Sequence, residues 1–484
     1  MALYLGLDVG TQGTKSVLYD ASEGRVVSRG AKKYGMLPVK RAGAAEQDPR
    51  AWIDAAESAL VQALTQVGVD RRSIRGLGVS GQQHGFVPLD AKNQVIRPAK
   101  LWCDTETAAE AEELSATLGR PIPAGFTASK ILWLARHEPE NFARLRRVLL
   151  PHDYVNLHFT GVAAMEPGDA SGTGFFDPVA REWDAAACAA IDPRLREMLP
   201  EVGTGEQAIG AILPALARRF RLTDDLFVAP GSGDNMMSAL GAGAVEPGVL
   251  CISLGTSGTI FGHAPQAVVD EQGLVASFCD ATGGGLPLLC TMNCTTVGEE
   301  VRVGFGGVGH ETITREASEV APGCDGLMFL PYLVGERAPN WPHARGVLMG
   351  MQPGNLRRGH LYRAALEGAT LALREGYARM EELGLAASEL RLVGGGARNG
   401  LWRRIVADVF ELPLRLPSET ETAALGAALQ AAAVDAGQPV GAYVRGRGVP
   451  LEDEIIEPDS LWIGTYQLAR QRFHEAGQLL FGGS

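Results

Sequence analysis

Leu7-Asp8-Val9-Gly10-Thr11-Gln12-Gly13-Thr14 and Ile252-Ser253-Leu254-Gly255-Thr256-Ser257-Gly258-Thr259 follow one pattern, and they begin 245 residues apart in a chain of 484. Each is a largely apolar run that enters Gly-Thr-x-Gly-Thr and continues into a second strand-like segment. Glycine supplies the positive φ of a tight hairpin tip, so backbone N–H groups and threonine hydroxyls crowd one point. Such a tip suits a phosphate oxygen. A single copy reads equally well as an ordinary turn. Two copies half a chain apart predict a duplicated α/β fold whose halves face each other across a cleft, each offering one loop to the same polyphosphate.

The length agrees, because about 240 residues per half is a usual domain size. Glu246-Pro247-Gly248 is the best break, giving halves 1–246 and 247–484. A net charge of −12 leaves no basic footprint for nucleic acid or anionic lipid. Seven cysteines, an odd number without a CxxC pair, point to reduced thiols in the cytoplasm. Cys290 and Cys294 lack the second ligand pair a zinc site needs. The first residues enter a strand directly, and no charge-free apolar stretch reaches membrane-spanning length, so neither export nor membrane insertion is expected.

Along the first half the pattern predicts strands at Leu3–Val9, Ser16–Tyr19 and Arg25–Ser28, a helix over 49–66, and a buried parallel strand at Ile74–Ser80. The stretch 124–207 is turn-rich and reads as an insertion on the substrate side. Phe227–Pro230 is a short strand that runs through Gly231-Ser232-Gly233-Asp234-Asn235 into a helix ending near Gly243. The second half repeats the hairpin over 249–261. It then carries an amphipathic helix over 361–383, a strand at Leu390–Val393, the turn Gly394-Gly395-Gly396-Ala397-Arg398-Asn399, and an alanine-rich helix over 422–433 in which Gly426 permits close packing.

Asp8 ends an apolar strand at the first loop. It reads either as a water-mediated Mg²⁺ ligand or as a carboxylate satisfied by its own turn. Asp234 reads as a helix N-cap or as a general base, and the small residues before it favour the base because they let a hydroxyl approach. Thr11, Gln12, Gly13, Thr14 and Lys15 in the first loop, with Gly255, Thr256 and Ser257 in the second, are the candidate phosphate contacts. Gly395, Gly396 and Asn399 form a backbone surface on which a flat ring can lie.

Gly125-Phe126-Thr127-Ala128-Ser129-Lys130-Ile131-Leu132-Trp133-Leu134 resembles the first signature of the FGGY carbohydrate kinases, and Gly394 to Asn399 with Trp402 and Ala407-Asp408 resembles the second. The resemblance runs nearly end to end. It implies an actin-like (ribonuclease H-like) ATPase core, with sugar in the cleft between two domains and ATP mainly against the second. The roles it implies are Asp234 as catalytic base beside Asn235, Asp8 near Mg²⁺, and Gln83, His84 and Asp104 on the sugar. Gly81-Gln82-Gln83-His84-Gly85, Leu101-Trp102-x-Asp104, Ser277-Phe278-Cys279 and Leu330-Pro331-Tyr332-Leu333-x-Gly335-Glu336-Arg337-x-Pro339 look most like the branch that phosphorylates D-xylulose. The expected partners are a sugar and ATP, with homodimerisation open.

Glu106 stands where many relatives place arginine, and Met165-Glu166 replaces the usual Thr-Asp or Ser-Asp, so ribulose, gluconate, glycerol and other polyols remain alternative substrates. Chaperone and filament ATPases share the duplicated core, but nothing after Asp459 is long enough for a peptide-binding appendage. A non-catalytic sugar sensor is disfavoured by the presence of both carboxylates and both loops.

Overall fold

The computed structural model describes residues 2–483 apart from 67 and 69. The chain opens on an antiparallel meander, β1 (Leu3–Val9), β2 (Gly13–Asp20) and β3 (Arg25–Lys33). Asp48 caps α1 (Pro49–Thr65) by accepting from the Arg50 amide, proline occupies the first turn, and Trp52, Ala56 and Leu60 are buried. The helix lies on β2 and β3 and returns the chain to β4 (Ile74–Gly81), parallel to β1.

The stretch expected to be turn-rich is about half helical, in short helices separated by turns. It contains α2 (Thr127–His137), α3 (Pro151–Thr160) and α4 (Pro167–Ala170). Its prolines and glycines are helix punctuation: Pro151 and Pro167 start α3 and α4, and Gly161 ends α3 at φ 75°. Beyond it, β5 (Gly210–Ala211), β6 (Phe227–Val228) and β7 (Ser232–Gly233) complete the first sheet, and α5 (Asp234–Ala242) leaves it.

The second half includes β8 (Val249–Leu254), β9 (Gly258–Gly262), β10 (Val275–Cys279), β11 (Gly285–Thr291), α6 (Thr295–Gly304), α7 (Arg358–Glu382), β12 (Glu389–Val393), α8 (Gly400–Phe410), β13 (Leu414–Arg415) and α9 (Thr422–Asp435). Its sheet order is β10-β11-β9-β8-β12-β13 against β5-β6-β4-β1-β2-β3 in the first. Without the edge strands β10 and β5, both sheets are an antiparallel meander whose first strand pairs in parallel with a fourth, and the fourth with a fifth. The duplication read from the loops therefore extends to topology. The two hairpins are not superposable in register, however. Val9 pairs with Thr14 whereas Leu254 pairs with Gly258, so the second tip is one residue shorter.

Helix α9 is buried on almost every side, and it packs on β1, β4 and α5 of the first half. One apolar cluster joins it to Tyr4 and Val17 of the first sheet and to Cys251, Phe261 and Leu288 of the second. The approach is at backbone level. A Cβ on Gly426 would stand 1.8 Å from the Met237 carbonyl oxygen of α5, and one on Gly78 would stand 2.0 Å from the Ala427 carbonyl oxygen. All seven cysteines are free, and among the described residues no helix is long and apolar enough to cross a membrane.

Gly426→Val must separate α5 from α9, and overpacking of this kind costs about 1–3 kcal/mol. Calorimetry is expected to show a clearly lowered Tm. An unchanged Tm would show that the two helices are free to part.

Candidate active site

Three parallel strands end together. Asp8 pairs in register with Ser80, and Ser80 with Ser232; one residue further, Val9, Gly81 and Gly233 align. Asp234 follows at once as the first residue of α5. The carboxyl ends of parallel strands are where an α/β sheet leaves a crevice open to ligand, and two carboxylates stand there.

Ser80 Oγ donates to Asp8 Oδ1 at 3.0 Å. Burial raises the pKa of Asp8, the charge of Glu421 adds to this, and Lys15 and Ser80 oppose it. Asp234 is not the N-cap of α5: Gly233 holds that position, and the Asp234 carboxylate accepts from Asn235, from its amide at 2.9 Å and from Nδ2 at 3.1 Å. Burial, followed by the charges of Asp8 and Asp169, pushes Asp234 up to about 8. Asp8 and Asp169 thus both disfavour the ionised form of Asp234 at a desolvated cleft floor.

Asn235 Nδ2 also donates to Gln83 Oε1 at 2.8 Å, which joins the substrate candidates Gln83 and Asn235 to Asp234. Among the described residues Gln83 Nε2 and His84 Nδ1 are buried without a well-formed hydrogen bond, and the His84 ring lies against the Gly172 backbone, which acts to raise its pKa. His84 occupies the left-handed region at φ 63°, with its carbonyl accepting from Thr127 Oγ1 at 3.2 Å. Its ring packs against Phe126 at 4.7 Å and, from the second half, Phe278 at 5.5 Å. Burial, reinforced by the charges of Lys130 and Arg337, pulls the imidazole down to about 3, so it is neutral and presents one donor and one acceptor.

Asp104 lies apart from this group. It is fully buried, Oδ2 accepts from the Ala45 amide at 2.9 Å and from Lys100 Nζ at 3.0 Å, and Oδ1 accepts from the Glu106 amide at 3.2 Å. Lys100 also meets Glu106 at 2.5 Å and Glu46 at 3.6 Å, so the ammonium fills the space that the three carboxylates would offer a cation. Glu106 in turn pairs with Arg41 at 2.6 Å.

The first loop is more inward than its sequence suggests. Thr11 Oγ1 donates to Gln82 and accepts from Trp102 Nε1, both at 3.0 Å, while Thr14 is buried beside Tyr34. Gln12, Gly13 and Lys15 remain at the surface, with Lys15 paired to Glu421 at 2.6 Å. In the second loop the Gly255 amide donates to the Ser257 carbonyl, the Thr256 carbonyl accepts from the Cys294 amide, and the Thr256 and Ser257 hydroxyls have no partner among the described residues. The glycine turn stacks on the base of that loop, since a Cβ on Gly396 would stand 2.7 Å from Leu254 Cβ, whereas Gly395 faces open space. Asn399 is committed elsewhere: Oδ1 caps α8, and Nδ2 reaches Thr314 and Tyr362.

Sequence reasoning passed over Asp169, Arg337, Arg398 and Glu421. The charge of Arg398 reaches Lys15 from the opposite half. Its place at the end of the glycine turn was the available signal. Glu166, noted only as a departure, accepts from Ser232 Oγ at 2.7 Å and so braces the turn that carries Asp234.

Residues 3–241 match the N-terminal domain of the FGGY family of carbohydrate kinases, and residues 250–434 match its C-terminal domain. The chain belongs to that family. It is therefore a phosphotransferase that draws on ATP and acts on a carbohydrate. It is 38% identical to the xylulose kinase of Haemophilus influenzae over 89% of this chain and 90% of that one. It is 34% identical to the xylulose kinase of Escherichia coli K12 over 99% of both. The crystal structure of a xyloylose kinase from Brucella ovis superposes with a TM-score of 0.92 at 33% identity, covering 99% of each chain. The mixed α/β architecture is that of the two-domain sugar kinases.

Because every Asp104 oxygen is engaged, Asp104→Asn is expected to lower thermal stability while changing the sugar KM less than about twofold. Calorimetry and steady-state kinetics on one preparation separate the two effects. A large KM change at unaltered Tm would return Asp104 to the sugar pocket.

Proposed function

We propose that this protein transfers the γ-phosphoryl group of ATP to the terminal hydroxyl of D-xylulose, giving D-xylulose 5-phosphate and ADP. The observation that carries the reading is the pair of unpartnered buried polar atoms, Gln83 Nε2 and His84 Nδ1, in the group that includes Asn235 and Asp234. An unsatisfied buried polar group costs about 1–3 kcal/mol. A polyol supplies several hydroxyls able to satisfy both. The choice of D-xylulose among polyols is supported by the names of the relatives that align over nearly the whole chain.

In this reading Asp234 accepts the proton of the attacking hydroxyl as the new O–P bond forms and the bond from the γ-phosphorus to the ADP oxygen breaks. Gln83, His84 and Asn235 hold the remaining hydroxyls, and Asp104 is left out of the contacts. Lys15 and Arg398, facing each other from the two halves, balance phosphate charge, while the exposed amides and hydroxyls of Thr256 and Ser257 offer donors. Halves 1–246 and 247–484 act as the two lobes of the cleft. Little covalent chemistry is asked of the protein, because phosphoryl transfer depends chiefly on positioning and charge neutralisation.

Asp8 fits a divalent cation: it is a desolvated carboxylate with a single side-chain hydrogen bond, opposed by the charge of Glu421. Mg²⁺ held there through water would neutralise phosphate charge.

Asp234→Asn is expected to lower kcat by about two to four orders of magnitude with sugar and ATP still bound. A coupled ADP-release assay on the wild type over xylulose, ribulose, gluconate and glycerol tests the substrate, and a higher kcat/KM on any of the others overturns D-xylulose. Asp8→Asn should shift the Mg²⁺ dependence to higher concentration and weaken nucleotide more than sugar; superimposable Mg²⁺ titrations would leave Asp8 a structural carboxylate.

A further inference from the structure

From Asp169 at the cleft floor a buried chain of ionisable groups runs back through His152 to Asp153. His152 Nδ1–H donates to Asp169 Oδ2 at 2.7 Å, and its Nε2 lies 3.1 Å from Asp153 Oδ1, an ion-pair distance at which, among the described residues, neither atom makes a hydrogen bond. His152 is 1% exposed, and both aspartates are fully buried. With a carboxylate oxygen at each ring nitrogen, the imidazolium is the form that avoids setting a lone pair against an anion. Burial opposes that charge, but Asp153, Asp169 and Glu166 outweigh it and raise His152 to about 9, while burial pushes Asp153 itself up to about 7 against the pull of His152.

Asp153 is fixed in turn, its Oδ2 accepting from the Leu150 amide at 3.0 Å across the first turn of α3. Backbone packing leaves His152 no freedom to withdraw, since a Cβ on Gly81 would stand 2.9 Å from His152 Cβ. At the other end, Asp169 anchors the turn that underlies His84. The Asp169 carbonyl accepts from the Gly172 amide at 3.0 Å, and a Cβ on Gly172 would stand 2.2 Å from His84 Cε1. The His84 amide also lies close enough to Asp169 to favour its ionised form. Asp169 is thus held by His152 on one side and shapes both backbone and ring of His84 on the other.

We propose that His152 is a positioning residue for the sugar pocket: its cation, clamped between Asp153 and Asp169, locks the Asp169–Gly172 turn against His84 and so holds that ring, in its left-handed backbone conformation, where a sugar hydroxyl meets it. This rests on the reading of His84 as a sugar contact. A residue outside the pocket then controls sugar affinity with no contact to sugar or nucleotide.

The full-length chain is assayed as His84→Ala, His152→Gln and His152→Lys, with KM for xylulose and for ATP and Tm measured on each. His84→Ala is expected to lower kcat/KM for sugar about two- to fifteen-fold through loss of one hydrogen bond. His152→Gln, which removes the cation, is expected to raise the sugar KM about tenfold and leave the ATP KM within about twofold, with His152→Lys recovering most of the loss. On the unmutated protein, a ¹⁵N-edited proton spectrum should show one imidazole with protons on both nitrogens, assigned by its loss in His152→Lys. A sugar dependence unchanged in His84→Ala overturns the pocket reading and this inference with it. A change in His84→Ala but none in His152→Gln overturns this inference alone. Equal losses on both substrates alongside a lowered Tm, no recovery in the lysine variant, or a neutral imidazole also overturn it.

Discussion

The contact on which the rest of the architecture depends is the backbone approach of α5 and α9. At Gly426 there is no space for even a methyl group, so α9 sits on α5 as closely as two helices allow, and it rests equally closely on β1 and β4 through Gly6 and Gly78. The chemistry stands at the ends of those same elements: Asp8 near the end of β1, Ser80 on β4, and Asp234 and Asn235 opening α5. A helix contributed by the second half therefore sets the spacing of carboxylates that belong to the first. Close-packed interiors transmit displacement instead of absorbing it, so a shift of α9 moves the floor of the cleft.

That floor carries an electrostatic cost. Asp8, Asp169 and Asp234 are desolvated, the first two raising the pKa of the third, and Gln83 Nε2 and His84 Nδ1 lack hydrogen-bond partners among the described residues. Neither feature stabilises the fold. Both are relieved by what a sugar kinase binds, hydroxyls for the orphaned atoms and cationic charge beside the acids. A site preorganised in this way spends folding free energy on ligand complementarity, the usual place for such expense. The surrounding cations are arranged to match. Lys15 lies near Asp8, and Lys130 and Arg337 keep His84 neutral, so it can both donate and accept.

The duplicated loop was legible because glycine and threonine spacing is a local property, and the sheet topology followed from it. The role of Gly426 was legible as close packing, but its partner was not, because duplication suggests that each half keeps its own helices. Residues 124–207 were misjudged for a definite reason: Pro151, Pro167 and Gly161 are turn signals in isolation and helix termini in fact, and only the chain between them decides. Asp104 stood among the sugar contacts only as a role implied by the family resemblance. Lys100, four residues earlier, was the missed signal, and it occupies the carboxylate in the structure. The cluster around His152 could not be read at all. His152 and Asp169 are adjacent only through folding, with no periodicity to join them.

The two halves meet at the His84 ring. Phe278, on β10 of the second half, packs against both His84 and Phe126, and the Cys279 amide donates to Ser171 Oγ at 2.9 Å. Strand β10 has no counterpart in the meander of the first half, so the extra edge strand is what brings the second half to the His84 ring. The consequence is thermodynamic. Any rearrangement of His84 on binding a sugar is felt by β10, and β10 is hydrogen-bonded through β11 to β9, the strand that leaves the second loop. If sugar binding biases that sheet, a ligand at the second loop must alter sugar affinity by the same factor, because coupling free energies are reciprocal. The edge strand thus supplies a physical route between the two substrates that does not pass through the catalytic carboxylates.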